Sequence, residues 1–240
     1  MPLKFTTTDQ ATEHINLLVY GEAGIGKTTL CGTAPRPLIV SAEGGTLSLA
    51  DKKIPMVKIK TRDDCNDVYD YLTIGDGPKH FDTINFDSLS EVAEVLLLDE
   101  KKINKDGRAA YGVMADEMNT LVRGFRDLPY HTVFTCKSKK LVEEATGVIS
   151  YIPYVPGQAF LNNLPYLFDE LVRMNFTVVG TTKYRVLETV GDRRFIAKDR
   201  SGRLLPMEKP DLTYLFAKIL GKEFTESAKS DSTPTHLKGK

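Results

Sequence analysis

The 240-residue sequence has little of what marks secreted and membrane proteins. It has no tryptophan and only three cysteines, Cys31, Cys65 and Cys136. An odd number of widely spaced cysteines does not suggest a disulfide framework, so a reducing compartment is expected. No apolar run approaches the roughly 20 residues that span a bilayer. The amino-terminal residues also lack the apolar core of a signal peptide. We therefore expect a cytoplasmic protein with no membrane partner.

Net charge is absent too, because 32 basic and 32 acidic residues cancel at neutral pH. Any affinity for nucleic acid must then come from local basic patches. The histidines are scattered and have no metal-ligand spacing to one another or to cysteine, so they are not expected to form a metal site. The remaining composition, 41% hydrophobic and 27% charged, is that of an ordinary globular domain.

Short apolar runs alternate with helical patterns along the chain, and this order favours an α/β fold with a mostly parallel central sheet flanked by helices. Strands are expected at 15–20, 38–43, 55–60, 81–88, 131–136, 169–179 and 183–190, and the sheet is expected to carry an antiparallel carboxyl-terminal extension. Helices are expected from residue 27, after residue 61, at 91–101, at 111–128 and near the end of the core. We expect one domain at 15–222, an arm at 1–14 and a polar tail at 223–240 whose composition favours disorder.

The stretch GEAGIGKT at 21–28 matches the phosphate-binding motif G-x-x-x-x-G-K-[ST]. Its glycines let the backbone turn so that successive N–H groups point toward an anion. The lysine supplies positive charge to the β- and γ-phosphates, and the hydroxyl of the next residue can ligate Mg²⁺. ATP and Mg²⁺ are the expected cofactors. The residues expected to bind them are Gly21, Glu22, Ala23, Gly24, Ile25, Gly26, Lys27, Thr28 and Thr29.

Two acidic residues follow apolar strands and are candidates for the chemistry. Asp87, at the end of TINFD, is expected to hold Mg²⁺ together with Thr28. Ser88 follows, where many hydrolysing motors carry a glutamate, so the general base has to lie elsewhere. Glu43, after LIVSA, is the candidate base for orienting or deprotonating a water at the γ-phosphate. A solvated glutamate at a strand end would also fit the sequence.

The order of a Walker A loop, a strand ending in Ala-Glu and a Walker B strand with a lone aspartate resembles the RecA recombinase core. In that family the catalytic glutamate lies at the end of the strand after the first helix, which supports Glu43. The stretch AKDRSG at 197–202 resembles the Lys-Asn-Arg-Phe-Gly motif of the RadA branch, with Asp199 in place of Asn and Ser201 in place of Phe. The resemblance implies that Lys198 and Arg200 are catalytic cations, which reach a neighbouring subunit's nucleotide or the DNA.

From residue 15 to residue 220 the pattern is most similar to RecA-core-only single-strand annealing proteins of phages, including an R-x-x-Y-G segment at 108–112. The resemblance implies a homo-oligomer, ring or filament, with ATP at subunit interfaces, in the host cytoplasm. It also implies single-stranded DNA as a partner, ATP hydrolysis that DNA stimulates, and a single-strand-binding protein as a further candidate partner. The large extra domains of full recombinases are not recognisable, which favours annealing over strand exchange.

The segment 137–157 has no clear period and is expected to be a long loop or a hairpin. On this resemblance it and the basic segment 101–108 are expected to be the two DNA-contacting loops. Cations would neutralise phosphates while Tyr151 and Tyr154 stack on bases. Acidic neighbours dilute both segments, so solvated charged faces are the alternative. The expected contact residues are Lys101, Lys102, Lys105, Arg108, Lys137, Lys139 and Lys140.

Two other functions remain open at this point. In a small-molecule kinase, Glu43 would bind an acceptor hydroxyl, and an arginine-rich lid would come from Arg193, Arg194, Arg200 and Arg203. In a nucleotide-gated assembly factor, ATP would be bound with little turnover. A GTPase is disfavoured because no Asn-Lys-x-Asp stands at a strand end, and a transporter ATPase because Leu-Ser-Gly-Gly-Gln is absent.

Overall fold

The computed structural model describes Thr7, residues 14–74 and residues 80–222. The expected arm and tail therefore lie outside the described residues, apart from Thr7 and His14, and the domain limits stay a prediction. Among the described helices, none combines the length and the apolar composition needed to cross a membrane.

In this part of the chain ten strands form one sheet, in the order β10-β8-β7-β1-β5-β4-β2-β3, with β6 paired to β5 and β9 paired to β7. The strands are β1 Asn16–Gly21, β2 Pro37–Ser41, β3 Met56–Lys58, β4 Thr83–Asp87, β5 His131–Val142, β6 Ile149–Tyr154, β7 Glu170–Val179, β8 Thr182–Glu188, β9 Lys198–Asp199 and β10 Met207–Glu208.

The six strands from β7 through β1, β5, β4 and β2 to β3 run parallel, and β1 lies inside this group. Every residue of β1 is buried, which explains its nearly continuous apolar sequence. Parallel strands end at one edge of the sheet, here called the carboxyl edge. Gly21 is in register with Lys137, and Ser41 with Asp87. The glycine-rich loop, Asp87 and the segment after β2 therefore leave the sheet at the same edge.

Helices cover both faces of the sheet. They are α1 Lys27–Cys31, α2 Arg62–Thr73, α3 Leu89–Ile103, α4 Gly107–Arg126, α5 Gln158–Asn163 and α6 Leu212–Ile219, with 3-10 turns at Thr46–Lys52 and Leu164–Tyr166. Alternate residues of β1 point to opposite faces. Leu18 and Tyr20 join the apolar cluster formed with α2, α3 and α4, whereas Leu17 and Val19 join the cluster formed with α1 and α6.

Three of the four remaining strands form the predicted antiparallel extension: β8 and β9 pair antiparallel with β7, and β10 pairs antiparallel with β8. The predicted fold class, a mostly parallel α/β sheet flanked by helices with an antiparallel extension, is confirmed.

The expected loop at 101–108 is wrong as a loop. Lys101 and Lys102 belong to the last turn of α3, and Arg108 belongs to the first turn of α4. Asp106 caps α4, because its carboxylate accepts a hydrogen bond from the backbone N–H of Arg108 at 2.9 Å. The capping aspartate before a glycine resembles a turn in sequence. The basic residues therefore lie on a tight junction between two helices.

The second basic segment is a hairpin, one of the two forms expected for it. β5 does not stop at Cys136 but continues to Val142 and pairs antiparallel with β6, from Lys137 opposite Tyr154 to Val142 opposite Ile149.

Candidate nucleotide-binding site

The glycine-rich loop has a backbone that requires glycine at particular positions. Gly24 and Gly26 have φ angles of 73° and 110°, in the region that favours glycine. A Cβ at Gly21 would lie 2.7 Å from the carbonyl oxygen of Met174 on β7, so this position also needs a residue without a side chain. The loop leads directly into α1, which begins at Lys27. Its shape fits a phosphate-binding loop.

Lys27 lies within the loop. Its ammonium donates hydrogen bonds to the carbonyl oxygens of Gly21 and Glu22, both at 2.9 Å. Burial lowers the pKa of Lys27, and the charges of Glu43 and Asp87 act in the opposite direction. The ammonium of Lys27, which is predicted to act on the phosphates, therefore interacts electrostatically with both Glu43 and Asp87.

Asp87 is a buried carboxylate held by two threonines, with 1% of its surface exposed. Thr28 donates from Oγ1 to Oδ2 at 2.7 Å, and Thr135 donates from Oγ1 to Oδ1 at 2.6 Å. Protein sites often hold Mg²⁺ by one or two side chains plus substrate phosphates and water. Thr28 and Asp87 fit such a site. Elsewhere in the described chain, no group of three or more His, Cys, Asp or Glu residues is placed to hold a metal.

Glu43 is exposed beside Asp87. The backbone N–H groups of Ala42 and Glu43 lie 3.0 and 3.4 Å from the carbonyl oxygen of Asp87. The charge of Glu43 acts to raise the pKa of both Lys27 and Lys137. The carboxylate is thus at the carboxyl edge, on the same side as the loop lysine. Its role as general base stays a prediction.

Lys137 is at the base of the basic hairpin, in register with Gly21. Its ammonium pairs with Oε1 of Glu91, and this contact is the main cause of the raised pKa of Lys137. Lys139 and Lys140, further along β5, are exposed, and the ammonium of Lys139 lies 5.8 Å from the ring centroid of Tyr154. Among the three hairpin lysines, Lys137 is thus the one placed beside the loop.

The other residues predicted to contact DNA, which are the cations of 101–108 and Tyr151 of the hairpin, differ in accessibility. Lys101 is exposed and lies 5.2 Å from the ring centroid of Tyr111, whereas Lys102 pairs with Asp99 at 2.6 Å. Tyr151 is half-buried, with the guanidinium of Arg173 4.1 Å from its ring centroid. Tyr151 therefore already has an internal stacking partner. DNA contact by this set stays a prediction, as it does for the exposed Lys105 and Arg108.

Lys198 and Arg200 are not brought to the phosphate loop of their own chain. Lys198 pairs with Leu171 near the start of β7, and its ammonium donates to the carbonyl oxygens of Pro165 and Phe168 at 2.6 and 2.5 Å. Burial lowers the pKa of Lys198. Arg200 pairs with Asp169 at 3.1 Å. Both cations thus lie at the end of β7 opposite the carboxyl edge, and a role in a neighbouring subunit stays a prediction.

Two residues at the site were not anticipated from sequence. Thr135 bonds Asp87, and Arg185 of β8 donates from Nε to the carbonyl oxygen of Ile25 in the loop at 2.7 Å. Neither residue belongs to a recognisable motif, because strand pairing brings each of them to the site. Thr135 reaches Asp87 because β5 pairs with β4. Arg185 reaches the loop because β8 pairs with β7, which in turn pairs with β1.

A comparison with curated proteins finds no match. Among solved structures, a KaiC-like protein from the hyperthermophilic archaeon Pyrococcus horikoshii OT3 is similar at 12% identity, over 75% of this chain and 79% of that chain, with a TM-score of 0.41. The family model described as "AAA domain" matches residues 13–201. This match spans most of the chain and includes the loop, Asp87 and Glu43, and so the chain belongs to this AAA-domain family of P-loop NTPases.

Proposed function

We propose that this protein is an ATPase that binds single-stranded DNA in recombination or annealing, as a phage-type, RecA-like homo-oligomer with ATP at subunit interfaces. Family membership supports the nucleotide chemistry. The DNA partner is supported by the order of motifs, which resembles the RecA core, and by one structural observation.

That observation is the continuity of β5. Its first half lies between β1, which leads into the phosphate loop, and β4, which ends at Asp87. Its second half carries Lys139 and Lys140 out into an exposed hairpin. The same strand thus joins the nucleotide site to the candidate DNA surface.

The first basic segment, 101–108, is followed by a helix that packs against the base of the hairpin. A Cβ at Gly157, just after β6, would lie 2.9 Å from Cε of Met114 and 3.8 Å from Cδ1 of Tyr111. The first turns of α4 therefore pack against the end of the hairpin. Lys101 lies near the same tyrosine ring. Exposed cations in these two segments would support electrostatic binding of a nucleic-acid backbone.

In the proposed chemistry, Lys27 and the loop N–H groups bind the phosphate chain, and Glu43 orients and deprotonates the attacking water. Mg²⁺, held by Thr28 and Asp87, would supply charge stabilisation at the phosphates. Lys198 and Arg200 would complete a neighbouring subunit's site. This makes turnover per subunit dependent on assembly.

The test is phosphate release with and without single-stranded DNA, over a series of protein concentrations. The double variant Lys139→Ala/Lys140→Ala should lose the stimulation by DNA and keep basal hydrolysis. Its matched control is Lys58→Ala/Lys60→Ala, which removes two exposed lysines at and just after β3, on the far edge of the sheet.

Stimulation by DNA that survives the hairpin variant would contradict the hairpin as the DNA site. Phosphate release that ignores DNA but follows an added nucleoside acceptor would favour a kinase. A rate per subunit that stays flat with concentration would contradict catalytic groups supplied in trans.

A further inference from the structure

The β7–β8 hairpin contacts the phosphate loop from the side opposite β5. Besides Met174 of β7, its contact residue is Arg185 of β8, whose Nε donates to the carbonyl oxygen of Ile25 at 2.7 Å. This hydrogen bond joins residues 160 positions apart in the chain. It uses one of the five N–H groups of the guanidinium.

The side chain of Arg185 also covers Gly26. A Cβ at Gly26 would lie 3.2 Å from Nε and 3.4 Å from Cδ of Arg185. The arginine thus occupies the space beside the glycine that immediately precedes Lys27. Its position is fixed by the loop backbone itself.

The charge of Arg185 is not neutralised inside the protein. Within residues 14–74 and 80–222 it has no carboxylate partner, and its other contact is with the ring of Phe176, whose centroid lies 5.5 Å from Cζ. Although its Nε is held by the loop, the side chain of Arg185 is exposed to solvent. An arginine that is held at a phosphate-binding loop and has unused N–H groups is suited to a polyanion, because its planar fork can bond a neutral acceptor and phosphate oxygens at once.

We propose that Arg185 binds the phosphate chain of the nucleotide from the β8 side, with Nε fixed on the loop and the Nη groups on phosphate oxygens. The cation would act in cis, unlike Lys198 and Arg200. This inference rests on nucleotide binding by the loop and does not depend on the proposed DNA partner.

The test measures the affinity for ADP with Mg²⁺, and for inorganic pyrophosphate as a competitor, across a salt series. Arg185→Met should weaken ADP binding about tenfold, equivalent to about 1.4 kcal/mol. It should weaken pyrophosphate to a similar extent and flatten the dependence of affinity on salt. Arg185→Lys should restore the salt dependence and part of the affinity, because it keeps the charge.

The matched control is Lys183→Met. Lys183 is an exposed cation on the same strand, with its ammonium 4.0 Å from the ring centroid of Phe176. This variant should leave ADP affinity within about twofold of wild type.

Three results would overturn the proposal. Unchanged ADP affinity in Arg185→Met would overturn the role of Arg185 alone. Arg185→Met and Arg185→Lys could also lose ADP affinity equally, with the salt dependence of binding unchanged. That result would show that Arg185 only shapes the loop and does not bind phosphate. Failure of the wild-type chain to bind ADP would overturn the nucleotide site as well. A different outcome would contradict only the proposed function: phosphate release by the wild-type chain that does not respond to single-stranded DNA, while ADP binding depends on Arg185 as predicted.

Discussion

Replacing Glu170 with glutamine should change how the stability of the protein depends on pH. Glu170 is 1% exposed at the start of β7. Its Oε1 accepts a hydrogen bond from the backbone N–H of Ser201 at 3.2 Å, whereas its Oε2 is buried without a partner. Burial, with the nearby charge of Asp199 as a second cause, raises the pKa of Glu170 to about 8.

The sign follows from comparing the folded and unfolded chains. The reference pKa of Glu170 is 4.5, so between pH 4.5 and pH 8 the folded chain keeps a proton that the unfolded chain has released. Stability from this group is therefore complete below pH 4.5 and declines as pH rises toward 8. At roughly 1.4 kcal/mol per pH unit, and with release half complete at the folded pKa, the loss from pH 6.5 to pH 8 is about 2 kcal/mol.

His131 has the opposite effect at lower pH. Burial is the first cause that lowers its pKa from 6.5 to about 4, so its contribution to stability is lost as pH falls through that range. The two trends oppose each other below pH 6.5, and the window above it separates them.

The assay is urea unfolding of wild type and Glu170→Gln at several pH values. The difference between the two free energies of unfolding isolates Glu170, because both chains share His131 and the cysteines. Glutamine stays neutral, so its curve should lack the decline of about 2 kcal/mol. Parallel curves for the two chains between pH 6.5 and pH 8 would refute the assignment of a protonated Glu170.

Other replacements test the site and the core. Glu43→Gln should lower turnover by about 10²- to 10⁴-fold without changing ADP affinity, measured by phosphate release and by titration, and unchanged turnover would exclude the general-base role. Gly26→Ala should weaken ADP binding, because φ is 110° and the new Cβ would lie 3.2 Å from Nε of Arg185. Its control, Gly180→Ala, has φ of 62° at an open hairpin turn, so it should leave ADP binding intact. Phe86→Ala removes a fully buried ring stacked on another aromatic residue and should cost about 3–5 kcal/mol in a urea titration; a cost under about 1 kcal/mol would contradict its place in the core.

The parts of the fold that follow local rules were predictable. The apolar run of β1 indicated a buried strand, and Thr61 was expected to begin α2, where it forms a capping box with Asp64. Local rules also explain the failure at 101–108, where Asp106 caps a helix although the Asp-Gly pair resembles a turn. The sequence does not show whether a capping residue begins a helix directly after another helix.

The site could be predicted only where its residues belong to a contiguous motif or a strand end. The loop was predicted from its contiguous motif. Asp87 and Glu43 were predicted because each follows an apolar strand, and parallel strands end at a common edge where ligands bind in open α/β sheets. Arg185 could not be found, since its contact with Ile25 depends on the order of strands in the sheet. The placement of Lys198 away from the loop likewise depends on strand pairing, here of β9 with the start of β7.

The strand order also places the phosphate loop, the basic hairpin and the segment near Lys198 in contact through one side chain. Tyr20 immediately precedes the phosphate loop. Its hydroxyl donates to the carbonyl oxygen of Ile196, near Lys198, at 2.7 Å and also lies 3.2 Å from the carbonyl oxygen of Tyr151 on β6. Burial raises the pKa of Tyr20, so the hydroxyl stays a donor throughout the neutral range. The end of β1 is thus bonded both to the basic hairpin and to the segment that would face a neighbouring subunit. A shift of the phosphate loop has to move those two carbonyls or break bonds to a buried group, and leaving such a group unpaired costs about 1–3 kcal/mol. If the protein binds DNA and assembles as proposed, Tyr20 would link the nucleotide site to both surfaces.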